Sequence, residues 1–288
     1  MSRQIPFVQA VLILLVLIPV IIWVSGCDVL FTEPVAEGEA FDQPLPGLTP
    51  AQHLAFTRGD VAFEKTFSVA EGLGPIFNQP SCESCHSGDG RGHPRTNLIR
   101  FGRNNGGSFD PLTEFGGAQL QDRSIPGVPA ETIPAHANAI SRRSGPVVFG
   151  IGMIEHIPGA VILANADPND SNGDGISGRA NFVDAPTWLT DQPGPYGGKH
   201  LGRFGRKTGV AFLLQQVATA YHQDMGITSD FLPFENPHPE HRALGDNVPD
   251  PEVSAATVED VIFYLRTLAP PNVDPLQRRL SEASNSTH

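Results

Sequence analysis

Cys82-Glu83-Ser84-Cys85-His86 constrains this chain more than any other stretch. Two thiols three residues apart lie on one side of a helical turn, at a spacing that lets both reach the vinyl groups of one haem. The adjoining His86 then lies below the ring and offers an imidazole nitrogen to the iron. This is the attachment pattern of a covalent c-type haem. A cofactor held in this way becomes much of the hydrophobic core, so the chain can afford long loops. Three other uses of the pair are weaker. A redox dithiol of thioredoxin type should follow a strand in a βαβ unit, and none precedes Cys82. A structural zinc site needs four ligands, and there is no second cysteine pair. A plain Cys82–Cys85 disulfide stays open in an oxidising compartment.

Cys27 is the only other cysteine among 288 residues, so a disulfide scaffold is excluded. It closes an N-terminal pattern. Arg3 is followed by an apolar run, Ile5 to Val24, which reads as an export signal. Val24-Ser25-Gly26-Cys27 resembles the bacterial lipoprotein lipobox, in which the cysteine is lipidated after cleavage. The alternatives are an uncleaved membrane anchor, since about 20 apolar residues span a bilayer, and simple secretion. All three put residues 28–288 outside the cytoplasm, and the expected location is the periplasmic side of the cell envelope, membrane-anchored.

Residues 1–27 are therefore read as export signal, 28–50 as a flexible tether, 51–270 as the haem domain and 271–288 as a polar tail. Gly and Pro number 30 and 27, which limits regular structure. Helices are expected over His53–Phe67, for a turn after Pro158, over Gly209–Tyr221, where Val210, Leu213, Leu214 and Val217 form one stripe, and over Val258–Leu268 capped by Thr257. No alternation is strong enough to predict a sheet. The expected fold is mainly α, a cytochrome c-like haem domain with long Gly/Pro-rich loops. The formal charge of −12, without a basic stripe, argues against nucleic acid and for basic redox partners.

The far side of the iron decides between carrier and catalyst. Met225 and Met153 are the candidate sixth ligands, with His156 and His222 as outside candidates and an open position as the alternative. Arg203, Arg206 and Lys207 are candidate partners of the haem propionates, as are Arg91 and Arg95. Asp170, Asn172 and Asp174, followed by Gly175 and the Ile176 carbonyl, match the first half of an EF-hand-like calcium loop. The twelfth position is Asn181 and not Glu.

Several stretches together resemble the di-haem oxidoreductase family, also described as thiol oxidoreductases and similar to MauG-like and di-haem peroxidases. They are Glu71–Asn78, Cys82–His86 with Gly90-Arg91-Gly92, Ser144–Gly150, Ile157-Pro158, Gly173–Arg179, Gly202–Gly205, Asp224–Thr228 and Val261–Leu268. The resemblance spans roughly residues 51–270 and implies haem-dependent oxidoreductase chemistry. The family pattern continues to a second cysteine pair with histidine, which this sequence does not contain. The expectation is thus one covalent haem c and one-electron transfer to a redox partner protein. The alternative is peroxidase-like or thiol-oxidising activity completed by a separate second-haem protein, and a third reading is a haem-bearing scaffold without turnover.

Overall fold

The computed structural model describes residues 41–271. The export segment, Cys27 and the polar tail lie outside them. The first helix, α1 (Pro50–Glu64), starts where Thr49 and Gln52 exchange side-chain and backbone hydrogen bonds, a capping box reinforced by Pro50. The chain then crosses the cysteine turn in short 3₁₀ segments. It forms β1 (Ile76–Phe77), β2 (Leu98–Asn104), β3 (Phe109–Asp110), β4 (Arg123–Ser124) and β5 (Ala139–Arg143). Two one-and-a-half-turn helices follow, α2 (Ile151–His156) and α3 (Gly159–Ala164), the latter after Pro158 as expected. Next come β6 (Phe182–Val183), β7 (His200–Leu201), α4 (Leu213–Ala220) and α5 (Ala255–Thr267).

Among the described residues, five short helices stand beside three antiparallel sheets: β1 with β4, β3-β2-β5, and β6 with β7. The expectation of a mainly α, cytochrome c-like fold is therefore wrong. The five-pair ladder between β2 and β5 runs from Leu98 opposite Arg143 to Gly102 opposite Ala139. Its strands carry Arg100, Arg103, Arg142 and Arg143 among their apolar residues, which hides the period of two that a half-buried strand normally displays. One face of this sheet nonetheless closes a small core of Phe101, Leu112 and Leu120.

The main core is helical. Phe56 and Phe63 of α1, Leu213 and Val217 of α4, and Val258, Val261, Ile262, Tyr264 and Leu265 of α5 form one cluster. Burying each such side chain stabilises the fold by about 1.5–3 kcal/mol. Helices α1 and α5 touch at Gly59, where an added Cβ would lie 2.1 Å from the Asp260 carbonyl oxygen and 2.6 Å from Tyr264 Cβ. Only glycine permits that approach. The α5 cap is Ser254, whose hydroxyl accepts from Thr257 N–H at 3.2 Å, three residues upstream of the expected cap. Helix α4 begins at Leu213 and not Gly209. It runs on through a π-helical turn, Tyr221–Met225, of a kind that often marks functional sites. At the other end of α5, Leu45 N–H donates to the Thr267 carbonyl and Ala269 N–H to that of Gln43, which seats residues 43–45 on the domain. No helix among the described residues is long and apolar enough to cross a membrane.

Candidate functional site

The cysteine motif is a single helical turn. The Cys82 carbonyl accepts from Cys85 N–H at 3.0 Å and His86 N–H at 2.9 Å. The Ser81 hydroxyl accepts from Ser84 N–H at 3.0 Å and so fixes the turn's entry. Both thiols are free, with no bond between them. Burial, with the Asp224 charge next in importance, pushes Cys82 up to about 12 and Cys85 up to about 11. Thiols this far above neutrality are poor nucleophiles for disulfide exchange, which argues against a redox dithiol.

His86 is clamped from several directions. Its ring lies 6.2 Å from that of Phe63, and Nδ1 makes a long 3.4 Å contact with the Gly90 carbonyl. On another side the chain passes so close at Gly145 that an added Cβ would be 2.6 Å from Cε1 and 3.0 Å from Nε2. That segment is itself pinned. Gly92 N–H donates to the Gly145 carbonyl at 3.1 Å, and Arg206 donates to the Ser144 carbonyl at 2.9 Å and the Gly145 carbonyl at 3.2 Å. Nδ1 is turned to the Gly90 carbonyl and the Pro146 carbonyl also reaches the ring; when a carbonyl orients one nitrogen of a ligating histidine, the other is the one that takes a metal. Burial holds the imidazole below its ordinary value, in the neutral form that ligation requires.

A cavity of about 350 Å³ is lined by the Ser144–Pro146 strap, though not by His86, Cys82 or Cys85 themselves. Its walls include Ser144, Gly145 and Pro146 beside His86, four cations (Arg100, Arg143, Arg206 and Lys207) and one acid, Asp224. None of the four cations has a salt-bridge partner among the described residues. A cavity with a surplus of fixed positive charge beside a poised histidine suits a flat, apolar ligand that carries carboxylates, which is the chemistry of a haem. Asp224 accepts from Gln119 and faces Arg100, yet burial still pushes it up to about 6. A carboxyl of that kind can hold or release a proton near neutrality. Gln119 and Gln223 also line a second, polar cavity of about 160 Å³ that contains Glu131. Glu131 is 6% exposed, has one oxygen without a partner and is pushed up to about 7 by burial.

The other sequence candidates are dispersed. Of the expected propionate partners, Arg206 and Lys207 line the larger cavity. Arg203 instead donates to the Ile154 and Ile157 carbonyls, and Arg91 and Arg95 point to solvent. Met225 is 2% exposed within the main core, against which Cys82 packs, whereas Met153 is 53% exposed. His156 Nδ1 meets the Gly152 carbonyl at 2.9 Å and His222 Nε2 that of Phe234 at 2.9 Å. In the acidic loop, Asp170 accepts from Gly175 N–H, Asp174 accepts from Ile176 N–H, and the Asn172 and Asp174 side chains meet at 2.9 Å. Among the described residues no group of three or more His, Cys, Asp or Glu side chains converges as a metal cage.

Arg100, Arg143, Asp224 and Glu131 were not foreseen as site residues. The two arginines enter through the β2–β5 ladder that the sequence pattern concealed. Asp224 had a signal, since it opens the Asp224–Thr228 stretch on which the family resemblance partly rests; the structure places it within the π-helical turn.

Helices and small sheets thus bring a Cys-X-X-Cys-His turn and a cation-lined cavity to either side of the Ser144–Gly145 strap. The family model described as "Di-haem oxidoreductase, putative peroxidase" matches residues 23–103 and 135–285. The chain belongs to this di-haem oxidoreductase family. No curated protein and no solved structure gives a significant match. Residues 104–134, which include Gln119 and Glu131, lie outside the family match.

Proposed function

We propose that this protein is a peroxidase-like oxidoreductase of the cell envelope, carrying one c-type haem bound through Cys82 and Cys85 with His86 as proximal ligand. The observation that carries the reading is the clamp on His86, with Gly145 against its ring, at the edge of a cation-lined cavity. A haem bound there supplies the one-electron steps of peroxide reduction. The chain's own residues do the rest. Arg100 and Arg143 neutralise the haem carboxylates, assisted by Lys207. Arg206 holds the Ser144–Gly145 strap that fixes the imidazole plane. Asp224 and Glu131 hold protons at the cavities' inner walls and release them where peroxide oxygen is reduced.

Family membership favours this catalytic reading over a simple electron carrier. The family name specifies two haems, and Cys82–His86 supplies the attachment pattern for one of them. Acyl chains on Cys27, or else the uncleaved apolar run before it, tether the chain to the membrane.

The test is the spectrum of the purified ferric protein. Catalysis predicts a high-spin component that changes on adding peroxide and returns when an electron donor is supplied. A spectrum indifferent to peroxide, with a methionine-to-iron charge-transfer band that vanishes in Met225→Ala, would replace the enzyme by a carrier.

A further inference from the structure

Phe63 lies between two other rings. Its centroid is 6.2 Å from that of His86 and 5.5 Å from that of Tyr264. An aromatic path thus runs from the candidate iron ligand to the centre of α5. Tyr264 has no exposed surface, and its hydroxyl makes no well-formed hydrogen bond. A buried hydroxyl left without a well-formed hydrogen bond is unfavourable, and a phenylalanine at this position would avoid it. The hydroxyl faces two carboxylates: Asp60 of α1, and Asp89 of the turn that follows His86. Each of these also has a buried oxygen without a partner. Asp89 is held inward at φ 55°, a backbone conformation rarely adopted outside glycine. Burial pushes both acids up to about 6, and Asp42 adds its charge. Three under-satisfied polar groups meeting at one buried point call for a functional explanation.

We propose that Tyr264 is a redox-active tyrosine that passes one electron through Phe63 and His86 to the haem site while its phenolic proton moves to Asp89 or Asp60. The inference rests on the peroxidase-like reading and takes hydrogen peroxide as the oxidant. Converting one peroxide to two waters consumes two electrons and two protons. One electron comes from Tyr264, whose O–H bond breaks, and the other from the haem site. The phenolic proton stays on the carboxylate, and both protons consumed at peroxide are released by Asp224 and Glu131, which solvent then reprotonates. The product on this chain is a neutral tyrosyl radical. The one-electron donor of the reaction reduces it, the proton then returns from the acid, and a second electron from the same donor restores the haem site. The acids make this step accessible, because an oxidised phenol that kept its proton would be a cation buried among apolar rings. Phe56, 4.8 Å from Tyr264, and Phe63 keep solvent from the radical.

Freeze-quench electron paramagnetic resonance of the haem-loaded protein after peroxide tests the idea. A tyrosyl signal is expected that narrows when the protein is labelled with ring-deuterated tyrosine, disappears in Tyr264→Phe and falls in yield in Asp89→Asn. Tyr264→Phe should fold normally, since it removes an unpaired hydroxyl and keeps the ring. A signal that persists in Tyr264→Phe overturns the proposal. So does the absence of any tyrosyl signal when the visible spectrum of the same sample responds to peroxide. A visible spectrum that does not respond overturns the peroxidase-like reading, and the radical proposal with it.

Discussion

Gly145→Ala is the sharpest probe of the clamp on His86. The new methyl would lie 2.6 Å from Cε1, whereas ordinary van der Waals contact begins at 3.4 Å, so ring or strap must move by about 0.8 Å (3.4 − 2.6). Neither moves freely. Phe63 backs the ring, while the Gly92 and Arg206 hydrogen bonds hold the strap. Overpacking of this kind costs about 1–3 kcal/mol. For a domain of this size that lowers the melting temperature by about 2–4 °C per kcal/mol, or about 2–12 °C in all. The control is Gly209→Ala, a glycine without positive φ and with nothing within 4 Å of the added Cβ; it should stay within about 0.5 kcal/mol of the wild type. Thermal unfolding followed by circular dichroism reads stability, and the visible spectrum of the same samples reads the imidazole. Gly145→Ala should both lower the melting temperature and alter the spectrum. If it matches Gly209→Ala in both, the strap does not press on His86 and the reasoning fails.

Asp224 gives a pH-dependent prediction. Its folded value of about 6 lies above its unfolded value of 3.8, so the native state keeps a proton that the unfolded state has lost. The penalty is absent below about pH 4 and complete above about pH 6, where it reaches about 3 kcal/mol at most. Asp224→Asn should therefore gain stability relative to wild type as pH rises from 4 to 7, and parallel denaturation midpoints across that range would refute this. Arg100→Gln and Arg143→Gln should each lower the midpoint potential, because removing a nearby cation favours the more positive, oxidised iron; unchanged potentials in the double variant would exclude a haem-facing role. Calcium is expected to raise the melting temperature through the Asp170–Ile176 loop, and Asp170→Ala should remove the effect. Calorimetry showing no calcium-dependent shift in the wild type would assign the loop to an ordinary turn.

Much of the helical half of the fold is legible in the sequence: Pro158 precedes α3, and the stripe from Val258 to Leu265 marks the buried face of α5. Helix α1 starts at Pro50, three residues before the expected His53, and α2 (Ile151–His156) was not expected. The sheets are not legible. The arginines of β2 and β5 interrupt alternation, and the other strands are two residues long, held by pairing partners up to 48 positions away, as in Ile76 with Ser124 (124 − 76 = 48). The same division runs through the site. Cys82, Cys85 and His86 are local and readable. Arg100, Arg143 and Asp224 meet only because loops return to one cavity, and no spacing rule encodes that meeting. Tyr264 has the appearance of one more apolar position on the α5 stripe until Asp60 and Asp89 are found beside its hydroxyl.

The central claim is that Cys82 and Cys85 carry a covalent haem ligated by His86. Mass spectrometry of the purified protein under denaturing conditions tests it most directly. The account predicts that the peptide containing Cys82–His86 retains the mass of one haem and resists thiol alkylation, and that Cys82→Ala/Cys85→Ala protein loses the adduct. Two freely alkylated cysteines in protein exported with its haem-attachment machinery intact would contradict it.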